Sequence, residues 1–357
     1  MHKVHQILTC ANNRLGSSVV RINPTLEEEA GEKVEGYLTF GIKDTYDIPI
    51  QLIEQLRRNP NFLWTTVDKM SYIGRSIDID LVNPLTYRRM TGSTSGGAVN
   101  ILMGINDIAI GTDGGGSVLA PALSCNLFSV LGKGFGLVVE KDAVSTDGIL
   151  FHPGIGFIAN RWSDIESVLN AVTTIKWQPQ EEKLRIVIPQ QGNCRLPDGE
   201  DMHECVIHYL QSVIATHEVI PYEFKNIYDR TSTVNDIKYI FEELKADIIL
   251  AFEGPIDVLG YDETIPRSFG GKAEQSMTSP PSKGIVKAAN ICNCTAFTIP
   301  SDRLASGFVV CASEGKESAL KAFGIAKCIS ECVDRPKVFN KYFRDREKFV
   351  EGYINHS

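Results

Sequence analysis

Apolar residues recur at helical spacing from Ile7 to Val20, and Pro24-Thr25-Leu26-Glu27-Glu28-Glu29 has the composition of a capped acidic helix start. Tyr37 to Ile42 predicts a strand running into Lys43, Gln51 to Arg58 a short helix, and Phe62 to Val67 a second strand. Glycine density then rises abruptly. A polar turn from Gly92 to Gly97 leads into a helical stretch, Ala98 to Met103; a buried strand, Asp107 to Gly111, feeds a second turn, Gly111-Thr112-Asp113-Gly114-Gly115-Gly116-Ser117. Pro121 opens an apolar stretch to Val130. Further on, strands are predicted at 184–188, 217–222, 246–252, 295–300 and 307–311. Helices are predicted at 199–215, 236–244, 284–290 and 316–328. This alternation predicts an α/β fold, a sheet with helices on both faces. No repeat or low-complexity linker divides the chain, so residues 1–357 are read as one domain.

The chain has 357 residues, 43% of them apolar and 22% charged, enough for a substantial core. A formal charge of −8 argues against direct nucleic-acid binding. Two local basic stretches, Arg57-Arg58 and Arg335 to Lys348, are read as solvated helix surface. Nine scattered cysteines cannot all pair, and Met1 to Cys10 lacks secretory-signal features, which together suit an intracellular, cytoplasmic setting, an organelle matrix being the other reducing option. Cys292-Asn293-Cys294 has the wrong spacing for a zinc knuckle and is read as strand; no metal or cofactor is expected. Apolar runs are too short to span a membrane, the longest being interrupted between Val99 and Ile110.

The two glycine-rich turns carry the chemistry. Neither has the lysine of a phosphate-binding loop, so nucleotide binding stands only as an alternative. Amide hydrolysis needs a deprotonated nucleophile, a base within reach, and N–H groups aimed at the oxygen that becomes negative. Gly114, Gly115 and Gly116 suit the last need, because residues without side chains can aim successive N–H groups into one cavity beside Ser117. His152 is the only histidine in this region and no G-x-S-x-G elbow is present. Lys43, at the end of an apolar strand, is the available base, since burial favours its neutral amine. Asp113 is read as a structural acceptor. Each residue also has a plainer role: Lys43 at the surface, and Ser93, Thr94 and Ser117 as turn or cap residues.

In these residues the chain resembles the amidase signature family of serine hydrolases. The resemblance lies in Thr91-Gly92-Ser93-Thr94-Ser95-Gly96-Gly97 and in Gly111 to Ser117, with Gly41-Ile42-Lys43-Asp44 and Asn83-Pro84 upstream. It implies a mixed sheet, Ser117 as nucleophile, Lys43 as catalytic lysine, and Ser93 as the bridging serine that follows a cis peptide bond. Thr94 takes the bridging position if the alignment shifts by one residue, at the cost of a gap; otherwise it belongs with Gly114 to Gly116 among the substrate-binding residues. Weaker likeness continues through Ala246 to Phe252, Ala288-Ala289-Asn290 and Gly307 to Val310. Two departures stand out: Val118-Leu119 replaces the isoleucine-arginine pair usual after the nucleophile, and the chain is short for the family. The resemblance implies hydrolysis of a small-molecule carboxylic amide. Two alternatives go with it. One is a glutamine-hydrolysing subunit that passes ammonia to the partner subunits of a tRNA-dependent amidotransferase, with Arg267 as cation for the glutamine carboxylate. The other is a non-catalytic relative used as a binding or assembly module.

Overall fold

A computed structural model describes residues 2–144, 148–173, 182–262, 268–278 and 280–344. Its strands, in chain order, are β1 (Val19–Ile22), β2 (Leu38–Lys43), β3 (Phe62–Asp68), β4 (Ile77–Val82), β5 (Arg89–Thr91), β6 (Ile108–Asp113), β7 (Phe128–Leu131) and β8 (Ala143–Val144). They continue with β9 (Leu150–Phe151), β10 (Gly154–Ala159), β11 (Arg185–Pro189), β12 (Glu218–Tyr222), β13 (Ile248–Glu253), β14 (Thr295–Pro300) and β15 (Gly307–Ala312). One mixed sheet takes eleven of them in the order β1-β3-β2-β6-β10-β7-β14-β15-β13-β11-β12, and β4-β5 and β8-β9 form separate two-stranded ladders. Both ends of the sheet contain parallel pairs (β3-β2-β6 and β13-β11-β12), while the middle is antiparallel.

Central strands β6, β10, β13, β14 and β15 are buried along their whole length, which explains why their sequences run apolar instead of alternating. Side chains still alternate between two cores. Ile108 and Ile110 join Phe157, Leu52, Ile165 and Phe323 on one face; Ala109 joins Ile158, Val99, Leu102 and Ala122 on the other. The first face is covered by α3 (Ile50–Arg58), α6 (Trp162–Val172) and the helix Lys316–Cys332. The second is covered by α4 (Ser95–Leu102) and α5 (Leu119–Ser124). The α/β sheet with helices on both faces is therefore as predicted.

Several local expectations change. The apolar pattern from Ile7 to Val20 is not one helix: the first helix is His2–Asn12, Gly16 takes a positive φ of 75°, and β1 follows at Val19. Residues 284–290 keep only a 3₁₀ turn, Ile285–Lys287, whose opening N–H groups donate to a buried carboxylate. Cys292-Asn293-Cys294 precedes β14 as a turn, with Asn293 left-handed at φ 56°. Arg335 is not solvated surface; its guanidinium sits over Phe128 and Phe339 and bonds Asn160. Arg57 pairs with Glu29 and Glu54 while Arg58 is exposed, as a helix surface requires.

Candidate active site

Three strand ends converge on one buried point. β2 lies parallel to β6, with Ile42 beside Ile110, so Lys43 emerges next to Thr112 and Asp113. Gly41 precedes it because any side chain there would collide with the Asp68 carboxylate and the Asn106 amide. Lys43 is 3% exposed. Its Nζ donates to Ser93 Oγ at 2.7 Å and to the carbonyl and hydroxyl oxygens of Thr112, both at 3.1 Å. Burial lowers its pKa to about 8, although Asp113 and Asp47 pull the other way.

Ser93 follows β5 across a cis Gly92–Ser93 peptide bond. Gly92 N–H donates to the Ser76 carbonyl at 2.7 Å, and Ser71 N–H to the Ser93 carbonyl at 3.1 Å. Thr94 N–H donates to the Ser117 carbonyl at 3.1 Å, tying the first turn to the second. The Thr94 hydroxyl is buried without a hydrogen-bond partner and caps nothing, so the hydroxyl that Lys43 engages is that of Ser93. The helix expected from Ala98 starts earlier, at Ser95. Gly96 and Gly97 belong to it because it lies directly on the chain beneath. A Cβ at Gly96 would stand 2.5 Å from Lys69 N and Ser18 O, and one at Gly97 2.7 Å from the Ala109 Cβ.

The second turn is organised by Asp113, which is buried. Its carboxylate accepts N–H groups from Gly116 at 2.7 Å, Val118 at 2.7 Å and Leu119 at 3.3 Å. Burial pushes its pKa up and those three backbone donors push it down, with a net rise. The expectation of three glycine donors for an oxyanion is corrected here. Gly116 N–H is already given to Asp113, whereas those of Gly114 and Gly115 donate to no group among the described residues. Ser117 is partly exposed, and no hydrogen bond joins its hydroxyl to Ser93 in this structure.

The back of this turn rests on residues to which the sequence assigned no role. Asn290 Nδ2 donates to the Gly114 carbonyl at 3.2 Å, and Asn290 Oδ1 accepts from Gly154 N–H at 2.9 Å. The Phe151 ring closes on Gly114, 2.9 Å from where a Cβ would be. At Gly115 the corresponding distance to the Arg230 guanidinium is 3.5 Å, and at Gly116 that to the Val286 carbonyl is 3.0 Å. Asn290 lies in a motif singled out in the sequence; Phe151, Arg230 and Val286 carry no such signal. His152 points away, with Asp142 at 3.4 Å and both side chains more than half exposed. Arg267 lies outside the described residues. Among the described residues no three His, Cys, Asp or Glu side chains gather as a metal site, and no helix is long and apolar enough to cross a membrane.

Residues 75–192 match the family model described as Amidase, a span that includes Ser93 and Ser117 and begins after Lys43. Amidase 1 of Arabidopsis thaliana is 30% identical over 169 residues, 39% of this chain and 37% of the relative. Putative amidase AmiB2 of Mycobacterium tuberculosis is 32% identical over 122 residues, 32% of this chain and 24% of the relative. The match thus spans well under half the length of either. Among solved structures, the native peptide amidase from Stenotrophomonas maltophilia superposes with a TM-score of 0.62 at 13% identity, over 94% of this chain and 95% of that one. The 6-aminohexanoate cyclic dimer hydrolase complexed with substrate gives 0.61 at 14% identity, again over 94% and 95%. At these identities the likeness is one of fold.

Proposed function

We propose that the chain is a member of the amidase signature family and hydrolyses a carboxylic amide at its C–N bond, with Ser117 as nucleophile, Ser93 as proton relay and Lys43 as base. The observation that carries this reading is the buried Lys43 amine held 2.7 Å from Ser93 Oγ beside a turn that ends on Ser117. An amine whose pKa is lowered to about 8 is neutral often enough near neutral pH to accept a proton.

The proposed steps are these. The relay closes when the Ser117 hydroxyl, which makes no hydrogen bond among the described residues, donates to Ser93 as Ser93 donates to Lys43. Ser117 Oγ bonds the amide carbon, and the N–H groups of Gly114 and Gly115 receive the oxygen that becomes negative. One such donor is typically worth about 3 kcal/mol. Collapse breaks the C–N bond, and the proton returns from Lys43 through Ser93 to the departing nitrogen. Water, activated by the same relay, then releases the acid from Ser117.

A fluorophosphonate probe tests the reading. The wild-type chain should be labelled covalently and Ser117→Ala should not; absence of wild-type labelling, or equal labelling of both, overturns it. A screen of primary amides, glutamine included, with ammonia release as readout then names the substrate and separates a stand-alone hydrolase from a glutamine-hydrolysing subunit.

A further inference from the structure

Glu253 ends β13 fully buried, in a part of the molecule the proposed chemistry does not use. A carboxylate there must be satisfied by donors, since an unpaired buried charge is costly. The donors are backbone. Gly284 N–H donates to Oε2 at 2.8 Å, Val286 N–H to Oε1 at 3.3 Å, and Ile285 N–H also bonds it. One side chain thus takes up the opening N–H groups of the Ile285–Lys287 turn, as a cap does for a helix.

What that turn touches gives the arrangement its meaning. The Val286 carbonyl lies 3.0 Å from the Cβ position of Gly116, and the Lys287 carbonyl 3.7 Å from that of Gly115. Three residues on, Asn290 holds the Gly114 carbonyl. Lys287 is itself pinned, its Nζ donating to Asp262 at 2.7 Å and to the Tyr228 carbonyl at 2.6 Å. The glycine turn before Ser117 therefore lies on 286–290, and Glu253 fixes the start of that support.

We infer that Glu253 is a positioning residue for the Gly114–Ser117 turn, acting through the backbone of Gly284 to Lys287. Its consequence for rate rests on the amidase reading; its consequence for the turn does not. The test compares wild type with Glu253→Gln, which replaces an acceptor oxygen with an N–H donor facing other N–H groups. Hydrogen exchange should quicken at least tenfold both in peptides covering 284–287 and in those covering 113–119, with β10 unchanged. Labelling of Ser117 by a fluorophosphonate should slow at least tenfold, with the loss in the bond-forming step and not in probe binding. Faster exchange at 284–287 with 113–119 unaltered overturns the inference. If wild type is not labelled, the amidase reading falls while the exchange result still decides the role of Glu253. Should Glu253→Gln fail to fold, native exchange of wild type in rising urea decides instead. The two segments should open together, and opening of 284–287 ahead of 113–119 refutes the coupling.

Discussion

Two glycine-rich stretches, 92–97 and 114–116, read alike in the sequence and use the missing side chain for opposite ends. At Gly96 and Gly97 the absent Cβ lets α4 lie on β6 and the chain beside it, where added atoms would meet backbone or Ala109 within 2.7 Å. At Gly115 nothing lies within 3.5 Å of the Cβ position. There the absence leaves a strip of backbone N–H open on one side and supported on the other. The first stretch is packing that places Ser93; the second keeps backbone N–H groups uncovered beside Ser117. A glycine count cannot tell them apart, because the distinction lies in what approaches from elsewhere in the chain.

The largest effect tests whether the two stretches meet in one relay. Lys43→Ala should lower amide turnover by about a thousandfold or more without a matching loss of thermal stability; a near-normal rate would remove Lys43 from the mechanism. In wild type the rate should climb with pH toward a plateau above about 8, because the proposed mechanism uses the neutral form of an amine whose pKa is lowered to about 8. Two pH units lower, about a hundredth of the lysine is neutral. A rate that is flat between pH 6 and 8 contradicts this.

Smaller effects bear on packing. Gly96→Ala should cost about 1–3 kcal/mol of unfolding free energy, since the backbone it meets cannot move aside. Beneath the same helix lies Asp68, buried and bonded by the neutral donors Thr66 and Asn100, both at 2.6 Å, with Asn106 farther off. Burial raises its pKa from 3.8 to about 7. The folded state therefore binds the proton more tightly than the unfolded chain. The stability this contributes is complete below about pH 4 and is lost as pH rises through about 7. Urea denaturation between pH 5 and 8 should show that decline, and Asp68→Asn should flatten it. The smallest effect belongs to Gly115→Ala, expected within about 0.5 kcal/mol of wild type; a cost equal to that of Gly96→Ala would erase the distinction between the stretches.

Legibility in the sequence followed the range of the interactions. Central strands announced themselves because burial on both faces demands uninterrupted apolar runs, and Ser117 came with its own glycines. The assignment of Gly116 as an open donor failed because nothing local reveals that Asp113 turns back to take its N–H. Gly-Ile-Val-Lys-Ala-Ala-Asn over 284–290 reads as a helix, yet only Ile285–Lys287 form a helical turn, and nothing local reveals that Glu253, 31 residues earlier, accepts its opening N–H groups. β10 and α6 showed no sequence signal strong enough to be predicted; β10 draws its order from β6 and β7 on either side.

The hydrogen bond from Asn290 to Gly114 spans 176 residues of chain. During synthesis that separation is a delay, on the order of ten to thirty seconds at ordinary elongation rates. Lys43, Ser93 and Ser117 all leave the ribosome long before Asn290 and before β14, the strand on which β7 must pair. Long-range closures of this kind form late. A nascent chain thus carries Ser117 early but cannot brace the turn beside it until its last third arrives, and timing withholds the finished arrangement from the half-made protein.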